Sequence, residues 1–514
     1  MGLNHPLNSP DEGKSIKVGV VRIPRVIYPK EAPYHPSVAY PEYPFPDFLS
    51  TKANYVYEGV RQLFYELGYD RGHWDTPRWN PLGPWIKPKM TVVLKPNFVI
   101  SRHPAGKDIF SIITHPSILR AIIDYCWIAM QGTGKIIIAD APQYNCNFRE
   151  LLDVTKLEAI SAFYSRYPSF TVEILDLRSY WSEKRHFPSM LRLLPGDPQG
   201  AVTVNLGRKS AFYRHSNPEK LYGAVYHRQE LIRRHFHEKQ DYEISGTILK
   251  ADVFISVPKM KVHKKVGVTL NMKGLVGICT NKNLCVHYTI GSPKQGGDQY
   301  PEDLFTPMER SLIKLERWMY DHLLARQKIW LEYIHRSAYF LHRLFLKPLG
   351  IAVDPEKRQM EAGNWYGNDS AWRMVKDLLQ IIYFADREGN LQETKQRPLL
   401  SIVDGIIGGE NNGPLEPDPI PVGVILGGDH LVAVDLVATK IMGFDFRKIK
   451  MFSVLEDPAL SFGLAGISAI QICSNDDNLK YCLENGTRPI TAFHPPAGWR
   501  GHIEIHPIQE ERHV

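Results

Sequence analysis

A chain of 514 residues with 43% hydrophobic and 23% charged side chains has the composition of ordinary globular protein, too apolar for wholesale disorder and long enough for several domains. Its formal charge of +7 suits an anionic partner but lacks the concentrated basic surface of a dedicated nucleic-acid binder, so no nucleic acid is expected. The six cysteines, Cys126, Cys146, Cys279, Cys285, Cys473 and Cys482, form no Cys-x-x-Cys pair, which argues against iron–sulfur and structural zinc sites of the usual spacing and for reduced thiols.

The start, MGLNHPLNSPDEGKS, has no apolar signal core, and no run of about 18 apolar residues occurs. The expected location is cytoplasmic, with a peripheral place on the inner membrane face as a variant of it. SIKVGVVRI (Ser15 to Ile23) reads as a first strand, and the Pro/Tyr-rich IYPKEAPYHPSVAYPEYPFPDF after it as a surface arm. NYVYEGVRQLFYELGY (Asn54 to Tyr69) has helical spacing. MTVVLKPNFV, THPSILRAIIDYCWIAM and KIIIADAP form a strand–helix–strand unit with Thr114 as expected N-cap. ELLDVTKLEAISAFYSRY continues as helix and FTVEILDL as strand.

Residues 181–245 read as an irregular insertion, after which ADVFISVPK resumes the sheet. Within 291–395, one long helical pattern runs from Met308 to Phe345, basic in its second half. It is either a helix packed on the body or an interfacial helix on an anionic membrane, a reading that Glu309, Glu316, Asp321 and Glu332 weaken. PLLSIVDGI and PVGVILGG are strands, HLVAVDLVATKIMGF a helix, and GHIEIHPI an edge strand. The expected division is 1–50, strand and arm; 51–180, first α/β lobe; 181–245, insertion; 246–290, core strand and Lys/His loop; 291–395, helical insertion; 396–514, second α/β lobe and tail.

Four polar clusters follow expected strands, where open α/β sheets hold ligands. Lys95-Pro96-Asn97 is a plain turn or an anion contact at a strand end. VPKMKVHKKVGVTLNMKGLVGI, Val257 to Ile278, holds five lysines, one histidine and no acid. If its first part is a strand, Lys259, Lys261 and His263 share a face. Crowded ammonium groups then depress a lysine pKa and prepare a base or nucleophile; a solvated basic face is the alternative. Thr269 and Asn271 follow in alternation with apolar residues, then Lys273. Asp404 precedes a glycine-rich loop whose Glu410, Asn411 and Asn412 suit sugar hydroxyls, a metal or a lysine. In GGDHLVAVDLVATKIMG, Asp429 is placed to cap a helix, and Asp435 lies among apolar residues, either as a structural partner or as a site residue.

VVLKPNFV, THPSILRAII, ADVFISVPKMKVHKKVGVTLNMKGLVGI, LLSIVDGIIGGENNGP and GVILGGDHLVAVDLVATKIMGFD together resemble the domain of unknown function 362 family. Many of its members carry a ferredoxin-like cluster domain, whose cysteines this chain lacks, so no iron–sulfur cluster is expected. A more distant likeness is to nickel-pincer lactate racemase, in which a similar strand leads into a Pro-His loop, a glycine-rich segment and the lysine that bears the cofactor. That likeness implies a two-lobed fold with a cleft, His263 as a proton-transfer group and Lys273 as an anchor. LNMKG departs from the glycine–glycine–lysine pattern, and pincer chemistry is not expected.

The expected protein is therefore α/β, two-lobed, with mostly parallel sheets, flanking helices and a long helical insertion. It acts on a small anionic, polyhydroxylated substrate by isomerase- or epimerase-like proton transfer, with sugar acids or nucleotide sugars as examples. His263 is the expected base, and Lys273 and Lys259 stabilise the enolate charge. Lys95, Asn97, Lys261, Thr269, Asn271, Asp404, Glu410, Asn411 and Asp435 bind the substrate. No ligand spacing demands a metal, although His263 with Glu410 or Asp404 would hold a divalent ion. The other classes are a non-catalytic phosphate- or glycan-binding module and a membrane-surface component of polysaccharide assembly docked through residues 308–345.

Overall fold

The computed structural model describes residues 15–182, 191–223, 228–322, 354–485 and 490–505, with Trp330, Tyr333 and Ser337 between them. Its centre is a ten-stranded, mostly parallel sheet. The strands are β1 (Ile16–Arg22), β2 (Thr91–Pro96), β3 (Gly134–Asp140), β4 (Phe170–Asp176), β5 (Val253–Val257), β6 (Lys259–His263), β7 (Gly267–Val268), β8 (Leu399–Glu410), β9 (Asp418–Gly428) and β10 (Ile470–Ser474). Their order is β10-β1-β9-β8-β5-β2-β3-β4, with β6 on β8 beyond the end of β5 and β7 on β6. The central strands are apolar on both faces, as in Val92-Val93-Leu94 and Val253-Phe254-Ile255, because helices cover both sides. Helices α1 (Tyr55–Glu66) and α2 (Pro116–Met130) pack on one face. On the other lie α3 (Leu270–Gly274), α5 (Ala371–Phe384) and α6 (Leu431–Ile441); α4 (Pro307–His322) precedes α5 in the chain.

Several expectations change. The strands assigned to two lobes join one continuous sheet, since β8 pairs in parallel with β5. The Pro/Tyr-rich segment is no surface arm: Tyr34, Tyr43 and Phe45 are buried in the core beneath α2. Residues 181–245 include strands Ala201–Asn205 and Lys239–Ser245, paired antiparallel. The helix expected over 150–167 breaks at Lys156, whose φ of 55° ends one helix and starts the next. α2 is capped by His115 rather than Thr114, and α6 by His430 rather than Asp429. GHIEIHPI contributes a single bridge, Phe444 to Glu504, among the described residues. The long helical pattern is helix from Pro307 to His322, and its continuation to Phe345 lies mostly outside the described residues. Strand β10, unread in the sequence, pairs in parallel with β1. Among the described residues, no helix is long and apolar enough to cross a membrane.

Candidate functional site

Strands β2, β3 and β5 end together at Lys95-Pro96, Asp140 and Val257. The carboxyl ends of parallel strands form the crevice in which open α/β sheets bind ligands. Pro258 interrupts the strand there, its carbonyl accepting the Asp404 N–H at 2.9 Å. The chain continues as β6 along β8, Lys259 opposite Asp404 and Lys261 opposite Gly409. Met260 and Val262 enter the apolar core, so alternation turns Lys259, Lys261 and His263 to the other face, as expected. All three are buried.

Their surroundings differ. Lys259 Nζ lies 3.0 Å from Asp404 Oδ2 and donates to the Tyr28 hydroxyl at 2.7 Å, and that hydroxyl donates to Asp404 Oδ1 at 2.6 Å. The His115 N–H donates to Asp404 Oδ2 at 2.9 Å, and its ring stacks on Tyr28 with centroids 4.1 Å apart. Burial drives the Lys259 pKa down while Asp404 draws it back up. Lys259, expected to be catalytic, is thus engaged in a closed triad that fixes the N-terminal segment over the sheet, and Asp404 is its counter-ion rather than a ligand contact.

Lys261 donates to the carbonyls of Ile112, at 2.7 Å, and Pro414, at 3.2 Å. Burial, with Lys259 adding to it, pushes its pKa well below the ordinary 10.5. Lys95 pairs with Asp140 Oδ1 at 2.9 Å and donates to the Pro96 carbonyl at 2.8 Å. Asp140 Oδ2 accepts the Phe98 N–H at 2.8 Å. Gly277 covers this pair so closely that a Cβ there would lie 1.9 Å from Asp140 Oδ1 and 2.6 Å from Lys95 Nζ. Beside them, the buried Asn97 Nδ2 has no hydrogen-bond partner among the described residues, an uncommon state for a buried amide and one that a ligand would relieve.

Lys273 stands on α3, a single turn held rigidly from below. Asp435 Oδ1 accepts the Asn271 N–H at 2.9 Å and Nδ2 at 2.8 Å, while Oδ2 accepts the Met272 N–H at 2.8 Å. Asn271 Oδ1 accepts from Ser401 Oγ at 2.9 Å. Burial pushes the Asp435 carboxyl up to about 7 against those donors. Asn271 and Asp435, expected to bind substrate, are satisfied by one another and position Lys273 instead. Thr269 Oγ1 is turned to the Val262 carbonyl at 3.4 Å, and its N–H donates to the Lys261 carbonyl at 2.9 Å. Burial lowers the Lys273 pKa to about 8, with Lys282 lowering it further and Cys285 and Cys279 opposing. Among the described residues no carboxylate lies within ion-pair distance of Lys261 or Lys273.

Two imidazoles adjoin the lysines in opposite tautomers. His263 Nδ1 accepts the Lys265 N–H at 3.1 Å, which leaves its proton on Nε2. His287 Nδ1 lies 2.7 Å from the Cys285 carbonyl, which only accepts, so Nδ1 carries the proton and Nε2 a lone pair. Burial first and Lys273 second hold both rings well below 6.5, hence neutral. His263, expected as the base, presents a donor from Nε2; the lone pair belongs to His287. Lys282, part-buried, donates to the Val276 carbonyl at 2.7 Å and lines a cavity of about 500 Å³ with Tyr144, Tyr180, Glu230, Asn281 and Asn283.

Glu410 and Asn411 are engaged elsewhere. Glu410 Oε2 accepts from His494 N and Nδ1 at 2.8 and 2.9 Å, and Asn411 Nδ2 donates to Asp418 Oδ2 at 2.8 Å. They latch the end of the β8–β9 hairpin, whose Pro414 carbonyl accepts from Lys261. The divalent site imagined from His263 with Glu410 or Asp404 is not assembled, because these acids serve His494 and Lys259. Tyr28, His115, Asp140, Lys282 and His287 escaped the sequence reading. Only Asp140 carried a signal, as the acid ending a β-strand pattern.

Residues 205–440 match the family described as Domain of unknown function (DUF362), so the resemblance read from the lysine–histidine motif and the VAVD helix is borne out over that span. No curated protein matches the chain. Among solved structures, a crystal structure of a structural-genomics protein from Thermotoga maritima is similar at 8% identity with a TM-score of 0.30, covering 72% of this chain and 54% of the other. The chain thus spans about half the length of that protein. Neither match bears on the likeness to lactate racemase.

Proposed function

We propose that the lysine cluster binds the anionic group of a small hydroxylated acid and that the two histidines move a proton on the carbon beside it. The observation that carries this reading is that Lys261 and Lys273 are buried with no carboxylate partner among the described residues. Of the five lysines Lys95, Lys259, Lys261, Lys273 and Lys282, only Lys95 and Lys259 are ion-paired among the described residues, with Asp140 and Asp404. Buried cations are costly unless paired, and a bound carboxylate or phosphate supplies the missing charge. Lys261, Lys273 and the orphaned Asn97 Nδ2 hold that anion. Lys282 and the adjoining cavity, with its amides and tyrosines, take the hydroxylated end; the volume suits a ligand of monosaccharide size.

The chemistry follows from the tautomers. The His287 Nε2 lone pair accepts the proton from the carbon next to the acid group. The C–H electron pair passes into an enolate, whose oxygen receives the His263 Nε2–H and the charge of Lys273. Return of the proton from His287 gives back the substrate, and its return after the planar enolate has turned over against His287 gives the epimer. The test is incubation with D-gluconate, D-glucuronate and lactate in D2O, read by mass spectrometry, with calorimetric titration of each acid and of inorganic phosphate. Deuterium should enter a bound acid with wild type and not with His287→Gln, while binding survives the substitution. Anion binding without exchange for any acid removes the catalytic step and leaves the binding module; absence of any anion binding removes the reading altogether.

A further inference from the structure

In sequence, the strongest objection to a membrane-facing role for α4 is its acids. The structure pairs each described one with a cation, burying most of Glu309 and Asp321 and leaving Glu316 38% exposed. Glu309 pairs with Lys357 at 3.1 Å, Glu316 with Arg358 at 2.8 Å and Asp321 with Arg228 at 3.2 Å. Ile313 faces the same way and is buried against Tyr300 and Phe305. The opposite face carries Met308, Ser311, Lys314, Leu315, Trp318 and His322, all exposed. Leu315 is 55% and Trp318 52% exposed, and Trp330 and Tyr333 further on are 57% and 63%. Single exposed apolar residues need no explanation, but a stripe at helical spacing that includes tryptophan, with its acids removed to the other side, does.

We infer that the outward face of α4 docks on an anionic lipid surface. Charge complementarity favours lipid over a second apolar protein face. The face holds Lys314 and His322 without a carboxylate, and the sequence that follows, residues 323–347, carries Arg326, Lys328, Arg336, Arg343 and Lys347 against Glu332 alone. Leucine, methionine and tryptophan enter the boundary between headgroups and acyl chains, while the lysine side meets the phosphates. Anionic headgroups add attraction that falls with salt. This inference is independent of the anion site, since none of its residues belongs to the lysine cluster.

The test is flotation of the full chain with phosphatidylcholine vesicles, alone or with roughly a third phosphatidylglycerol, for wild type, L315S/W318S and K314E. Because these side chains are exposed, both variants should keep the wild-type melting temperature. Wild type should float with the anionic vesicles and be released by high salt. The double variant should lose about tenfold in bound fraction, and K314E a smaller part of it. Failure of wild type to float, or equal flotation of the double variant, overturns the proposal. So does light scattering that finds a wild-type dimer dissociated by L315S/W318S, which would assign the face to a second copy of the chain.

Discussion

Replacing Lys273 by methionine separates a residue kept for binding from one kept for stability. The Lys273 ammonium is buried, and its pKa falls from 10.5 to about 8. Below pH 8 folded and unfolded chains are both protonated there, and the fold carries the whole penalty of the buried charge, about 3 kcal/mol from the fall in pKa. Between pH 8 and 10.5 the folded state sheds its proton first, the unfolded chain binds more protons, and stability rises with pH until the penalty is gone. Methionine has similar length and no charge, so K273M should be more stable than wild type at pH 7 by up to about 3 kcal/mol. That advantage should shrink to about 1 kcal/mol by pH 10. Paired urea unfolding curves at the two pH values, followed by tryptophan fluorescence, give the difference directly. Phosphate or a sugar acid should stabilise wild type and not the variant. If K273M is less stable at pH 7, or its advantage does not change with pH, Lys273 is structural and the reasoning fails.

Gly277→Ala should cost about 1–3 kcal/mol and weaken anion binding, because the added methyl collides with Lys95 and Asp140; differential scanning fluorimetry with and without phosphate checks both effects. Anion affinity should be level below pH 8 and fall by up to about tenfold per pH unit above it, as Lys273 loses its proton in the free protein but keeps it longer in the complex. Calorimetry in buffers of different ionisation enthalpy should find proton uptake on binding above pH 8 and none from this group below. Asp435→Asn should cost about 2–3 kcal/mol, since its amide N–H₂ would face an N–H donor of Asn271 or Met272. It should also weaken anion binding by loosening the turn under Lys273; unchanged binding would separate Asp435 from the site.

The strand–helix succession, the buried strand before the lysine loop and the common face of Lys259, Lys261 and His263 were legible because each rests on a repeat of two or 3.6 residues within one short segment. The grouping of Lys95 with the loop also followed from local pattern, since both end strands of a parallel sheet. What misled was treating each polar residue near the loop as facing a ligand. Thr269, Asn271 and Asp435 are consumed in building the turn, and Glu410 and Asn411 in closing a hairpin. Whether a buried polar group serves the scaffold or a ligand depends on how many partners reach it, and no spacing along the chain records that.

By itself, then, the amino-acid order determined an α/β chain with a cationic loop at a strand end, because hydrophobic periodicity and turn chemistry act over a few residues. Only the tertiary structure decided which lysines are neutralised and which are not. Tyr28 reaches Lys259 across 231 residues and Asp404 across 376, while no described carboxylate lies within ion-pair distance of Lys273. It also decided the tautomers of His263 and His287, each set by one backbone group, and so which ring can take a proton. It settled the place of the α4 acids as well. Their sequence positions put them on a helix, but ion pairs with Lys357, Arg358 and Arg228 turn them from the outward face. Charge compensation is a property of distances in space, and those are fixed only when the sheet closes.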